Sequence, residues 1–147
     1  MCAKAVLLGM NSPTGRCLEY DNSGAGLNLF KLTGLSPADY EAAFERMNLV
    51  QAKEWDKEEG ERRGSVIRPK FVAEKRKVVV LGIMVWRCLK LPKTQWCHSF
   101  SEDGAEFWLV PHTSGKNLWY NYPSNKGRAS RVLRRLAGEV LKCRKAS

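Results

Sequence analysis

No stretch of this chain approaches the roughly 18–20 consecutive apolar residues that cross a bilayer, so the sequence offers no membrane span. Its five cysteines (Cys2, Cys17, Cys88, Cys97 and Cys143) are scattered, and no two have C-x-x-C spacing. That excludes the commonest zinc and cluster frameworks and leaves free thiols in a reducing interior as the expectation. Gly-rich fingerprints for a dinucleotide or a triphosphate are also missing. Histidine occurs only twice, as His98 and His112. The opening MCAKAVLLGM carries one Lys and a short apolar run with no small-residue cleavage pattern behind it. That run reads as a first strand rather than a secretory leader.

What the chain does have is a core and a charge. At 147 residues, with 44% hydrophobic content and five Trp, it is long enough to fold as one domain over residues 1–147. Net charge is +10, unevenly spread. Residues 111–147 hold nine Lys/Arg against Glu139 alone and so supply +8 of that +10. Solvated helix faces usually mix both signs. One-sided charge points instead to a polyanionic partner, of which nucleic acid is the commonest.

Short apolar runs alternate with helical patterns. AKAVLLG (3–9), KVVVLG (77–82) and AEFWLVP (105–111) read as strands, with a weaker fourth near TQWCHSF (94–100). Their continuous apolar character suits strands covered on both faces of a parallel sheet. GAGLNLFKLTG (24–34) predicts a short helix. In SPADYEAAFERM (36–47), Ser36 is a natural N-cap, Pro37 fits the first helical position and Asp39 completes a capping-box pattern. Tyr40, Ala43, Phe44 and Met47 then recur at helical spacing. The charged stretch 51–77 predicts a linker around 60–65 and then a helix, and GIMVWRCLKL (82–91) predicts a mostly buried helix. In SNKGRASRVLRRLAGEVLKCRK (124–145), Ala129, Val132, Leu133, Leu136, Val140 and Leu141 form an apolar stripe between basic faces. The order predicts an α/β protein, a three-layer α/β/α fold with a short central parallel sheet of about four strands.

Ligands of such sheets bind where the carboxyl ends of the strands open into loops. Two strands are followed by conspicuously polar ones, GMNSPTG (9–15) and PHTSGKN (111–117). Gly, Asn, Ser and Pro are ordinary turn formers, so the first loop alone reads equally as a plain strand-to-helix turn. A single His is likewise more often structural than catalytic. Two such loops at one sheet edge, beside a basic segment, carry more than either alone.

The residues of these loops resemble the uracil-DNA glycosylase superfamily at three places. Gly9-Met10-Asn11 resembles the water-positioning loop of the single-strand-selective class and the Gly-Ile-Asn of the mismatch-specific class. GAGLNLFKLTGLSPADYEAAFERMNLV (24–50) is similar to the thermostable bacterial and archaeal families, with Gly-x-Ala-Gly, a helix, Gly-Leu-Ser and an Asn closing a short strand. HTSGKN (112–117) resembles the superfamily's His-Pro-Ser motif.

The resemblance implies a monofunctional glycosylase that flips a nucleotide out of DNA and hydrolyses the bond to uracil or a 5-substituted uracil. Asn11 would hold the attacking water, and His112, as neutral imidazole, would donate to the base oxygen where charge develops. Asn48 would read the uracil edge, with Tyr20, Gly9, Met10 and Ser114 completing the base pocket. Lys116, Asn117 and Leu118 would enter the duplex, and Lys126, Arg128 and Arg131 would meet phosphates. Trp119, Tyr120 and Tyr122 either stack on bases or pack the loop. No cofactor, metal or cluster is expected, nor a membrane, and the protein is expected as an intracellular monomer, cytoplasmic or, in a eukaryote, nuclear.

The chain departs from the family where Thr113 replaces Pro, which predicts a looser turn presenting His112 and Ser114, and it is short for the superfamily. One alternative is a non-catalytic binder of uracil-containing or damaged DNA. A second is a binder of a nucleotide or phosphorylated metabolite.

Overall fold

The computed structural model describes residues 3–11, 18, 24–114 and 116–146. Tyr20, the candidate stacking residue, lies outside them. Five strands form a single sheet: β1 (Ala5–Gly9), β2 (Phe44–Asn48), β3 (Lys77–Leu81), β4 (Ser99–Glu102) and β5 (Ala105–Val110), in the order β2-β1-β3-β5-β4. The first four in that order run parallel, and β4 pairs antiparallel with β5 at the edge. The sheet therefore has five strands rather than about four, because Phe44–Asn48, expected as the end of a helix, forms β2 beside β1, while the weaker fourth strand expected near 94–100 appears as β4, joined to β5 by a turn at Asp103-Gly104.

Helices cover both faces. Val6, Leu8, Val78, Val80, Phe107 and Leu109 pack under α3 (Lys57–Ala73) and α4 (Ile83–Cys88). Ala5, Leu7, Val79, Leu81 and Val110 pack under α1 (Ala25–Thr33), α2 (Pro37–Ala43) and α5 (Pro123–Ala146). Burial on both faces is why the strands read as unbroken apolar runs.

Ser36 caps α2 as expected, its Oγ accepting from the Asp39 N–H at 3.2 Å with Pro37 in the first turn. The expected helix does not reach residue 47, however. At Phe44 the chain turns extended and all five residues of β2 pair with β1, from Ala5–Phe44 to Gly9–Asn48. A full parallel ladder replaces one further helical turn, and Phe44 is buried from the strand instead of the helix.

The linker expected around 60–65 is also absent, because those residues lie within α3. Asp56 caps that helix by accepting from the N–H groups of Glu58 and Glu59. Its glycines allow close packing: a Cβ on Gly64 would collide with the Cys88 carbonyl of α4. They read as linker signals in one dimension and as helix-packing residues in three.

The thiols also depart from expectation. Cys88 and Cys97 are free, whereas Cys143 is disulfide-bonded. Among the described residues no helix is long and apolar enough to cross a membrane.

Candidate functional site

The four parallel strands end at one edge, where the chain leaves β1 toward β2 on one side and leaves β3 toward β5 on the other. The gap between β1 and β3 is the switch point at which open α/β sheets place ligands. Gly9, Met10 and Asn11 follow β1, Asn48 closes β2, Gly82 follows β3, and His112 follows β5. The sheet thus brings the three principal candidates to one edge. Asn48 and Gly9 are neighbours, while Asn11 and His112 stand two strand spacings apart, roughly 10 Å at backbone level.

Asn48 is 3% exposed, and its side-chain amide makes no hydrogen bond among the described residues. It lies against Gly9, where an added Cβ would come within 2.8 Å of its Oδ1. Beyond the strands the two chains stay paired, as Leu49 N–H donates to Gly9 O at 2.8 Å and Val50 N–H to Met10 O at 3.1 Å. The backbone is therefore fixed around a carboxamide that makes no side-chain hydrogen bond among the described residues.

Asn11 is anchored by its other end. Its Nδ2 donates to the carbonyls of Ala52 (3.2 Å) and Lys53 (2.8 Å), which leaves Oδ1 as the acceptor. The residues that hold it contribute only backbone oxygens, so no side-chain pattern in the sequence marks them.

His112 is half-buried. Its Nδ1 accepts from the Ser114 N–H at 3.1 Å, so the neutral ring carries its proton on Nε2. Burial holds its pKa below the ordinary value of 6.5 and favours that neutral form. Asn117 fixes the backbone behind it, Nδ2 donating to His112 O at 2.8 Å.

The turn is not loose. Thr113 is 2% exposed, its Oγ1 donates to Ala25 O at 2.8 Å, and its own carbonyl accepts from Asn28 Nδ2 at 2.9 Å. Two hydrogen bonds to α1 take over the restraint that a proline ring would supply. Asn28 was not singled out in the sequence, since nothing local marks a contact with a residue 85 positions away.

Beyond the turn, a 3-10 helix (Leu118–Asn121) sorts the aromatics. Trp119 and Tyr120 pack edge to face at 4.9 Å, and Tyr120 donates its hydroxyl to Pro111 O at 2.6 Å. Burial pushes that phenol's pKa upward. Leu118 and Tyr122 project outward, 71% and 64% exposed.

The basic residues divide in the same way. Arg128 donates to Trp96 O at 2.9 Å and lies over Trp119, Arg134 donates to Thr33 O at 3.2 Å, and Arg135 lies over Trp108. These three hold α5 against its neighbours, so Arg128 is already engaged within the fold. Lys116, Lys126 and Arg131 have no hydrogen-bond or ion-pair partner among their side-chain groups within the described residues.

Met84, 43% exposed at the start of α4, borders the same edge and was also not singled out in the sequence. Among the described residues no group of three His, Cys, Asp or Glu side chains is placed to hold a metal ion. Comparison with known proteins gives no match, either to a protein-family model or to a curated protein. The chemistry of the edge therefore rests on its geometry: a carboxamide that can donate and accept, an amide oxygen fixed as an acceptor, and an imidazole fixed as an Nε2–H donor.

Proposed function

We propose that this protein is a monofunctional DNA glycosylase that hydrolyses the N-glycosidic bond of uracil or a 5-substituted uracil. The observation that carries the reading is Asn48. Its carboxamide makes no side-chain hydrogen bond among the described residues, so it is free to donate to and accept from an edge that offers both, as the uracil edge does.

In this reading the target nucleotide leaves the stack, and its base enters at the strand edge beside Asn48, whose Oδ1 lies against Gly9. Asn11 Oδ1 accepts a hydrogen bond from a water beneath the anomeric carbon. The C–N bond breaks with oxocarbenium character on the sugar, and the electron pair leaves with the base as a uracil anion. His112 Nε2–H donates to the base oxygen where that charge gathers, a contribution of about 3–4 kcal/mol for one well-placed donor. The water oxygen bonds to the sugar carbon and loses its proton to solvent, and the departing base is protonated in turn. Exposed Leu118 and the unpaired Lys116 suit insertion beside the vacated position.

The test is strand scission by alkali after incubation with oligonucleotides carrying one uracil, one hydroxymethyluracil or thymine. Scission at a uracil-type base that is lost in Asn11→Ala and His112→Ala supports the enzyme. Salt-sensitive binding without scission would favour a binder of damaged DNA, and the absence of both scission and binding would overturn the DNA reading.

A further inference from the structure

A concavity of about 470 Å³ lies on the α5 side of the His112 turn, between α1, the 3-10 helix and the first turn of α5. Asn28, Lys31, Asn117, Asn121 and Lys126 line it together with Ser114, and no carboxylate does. The groove is therefore positively charged without internal compensation, since neither Lys31 nor Lys126 has an ion-pair partner among the described residues. Other lysines behave differently: Lys77 pairs with Glu139, and Lys90 with Glu61. The neutral lining is already oriented. Asn28 spends its Nδ2 on Thr113 O, and Asn117 spends both ends on His112 O and Trp119 N–H. Lys31, Lys126, Asn121 and the Ser114 hydroxyl remain as donors. A volume of this size takes a nucleotide-sized ligand rather than a lone ion. Tyr122 directly follows Asn121 of the lining, its carbonyl accepts from the Lys126 N–H at 3.1 Å, and it is 64% exposed. An aromatic platform next to a positive groove is the combination that binds single strands without sequence preference.

We infer that this groove holds the nucleotide flanking the target on the same DNA strand, with its phosphodiester between Lys31 and Lys126 and its base on Tyr122. The inference rests on the glycosylase reading for the identity of the strand, and it adds Lys31, Asn121 and Tyr122 to the interface. It also assigns the protein a preference for locally single-stranded DNA, because the flanking base must leave its own stack to reach the tyrosine.

The test uses the full chain and a fluorescent single-stranded oligonucleotide that contains no uracil, so that binding is read apart from scission. Anisotropy titrations at several salt concentrations give the slope of log Kobs against log salt. In Lys31→Gln/Lys126→Gln the slope should shrink by about 0.7, since the one phosphate held between the two lysines contributes about that much on a single strand. Lys145→Gln, which removes a charge at the far end of α5, should leave it unchanged. Tyr122→Ala should weaken binding roughly tenfold at fixed salt and matter less for the matched duplex. All the altered side chains are exposed, so melting temperatures should match the parent and confirm folding. An unchanged slope in the double variant, an equal effect of Lys145→Gln, or equal weakening of duplex by Tyr122→Ala would each overturn the inference. Scission of a uracil strand by the same preparations reports separately on the glycosylase reading, which survives any of these results if the uracil is removed.

Discussion

The Ser114 N–H donates to His112 Nδ1 at 3.1 Å, and this one hydrogen bond determines which face of the imidazole can act on a ligand. With Nδ1 occupied as an acceptor, the neutral ring presents Nε2–H outward. His112→Ala should therefore lower uracil scission by about 10²–10³-fold, the usual cost of one oriented donor, with little change in DNA affinity. Single-turnover kinetics beside anisotropy titrations check the two halves of that expectation.

The pH profile follows from the burial of the same ring. Its folded pKa lies below 6.5, so the neutral donor should persist, and scission should hold its plateau, into acid where an exposed histidine would already be charged. Stability runs with the same sign. Between the folded pKa and 6.5 the unfolded chain binds a proton that the folded chain does not, so stability falls as pH drops through that window. Urea midpoints from pH 7 downward should show a shallower acid loss in His112→Gln than in the parent.

Asn48 should display a conflict between stability and function. Asn48→Leu replaces the carboxamide of this 3% exposed residue with an apolar side chain of similar length. Thermal melts should show stability unchanged or raised by up to about 1 kcal/mol, while scission of uracil DNA is abolished. Marked destabilisation would mean that the amide has a structural partner in solution.

Gly9→Ala tests the floor of the pocket. Its Cβ would stand 2.8 Å from Asn48 Oδ1 and 3.5 Å from Leu18 Cδ1, so the carboxamide must move. The expected cost is about 1–3 kcal/mol in denaturant titrations, with a loss of scission larger than the unfolded fraction explains.

Thr113→Val keeps the shape of the turn and removes its hydrogen bond to Ala25 O. A loss of about 1–2 kcal/mol is expected, together with faster amide exchange at residues 112–117 than elsewhere. Unchanged exchange in that segment would show that the turn is held by other contacts.

Much of the fold is legible in local chemistry. The apolar runs 3–9, 77–82 and 105–111 appear as β1, β3 and β5, and Ser36 with Pro37 starts α2 where the cap predicts. The stripe of Ala129, Val132, Leu133, Leu136 and Val140 is the buried face of α5. These features depend on neighbours within a few residues, so the sequence carries them directly.

What the sequence by itself determined, then, is the layering of the molecule, the start of α2 and the polar residues placed after two strands. The tertiary structure decided the rest. Phe44–Asn48 is a strand because β1 lies beside it, and Gly60 and Gly64 are helical because α4 packs against them. Arg128 serves the fold because Trp96 and Trp119 converge on it, while Lys126 is left without a partner. Asn11 reaches carbonyls 41 and 42 residues away, and Thr113 is tied to Ala25 across 88. The physical reason is one of range. Caps and periodicity are satisfied by atoms nearby in the chain, whereas a tautomer, an anchored amide or a buried carboxamide depends on groups that meet only when the sheet closes.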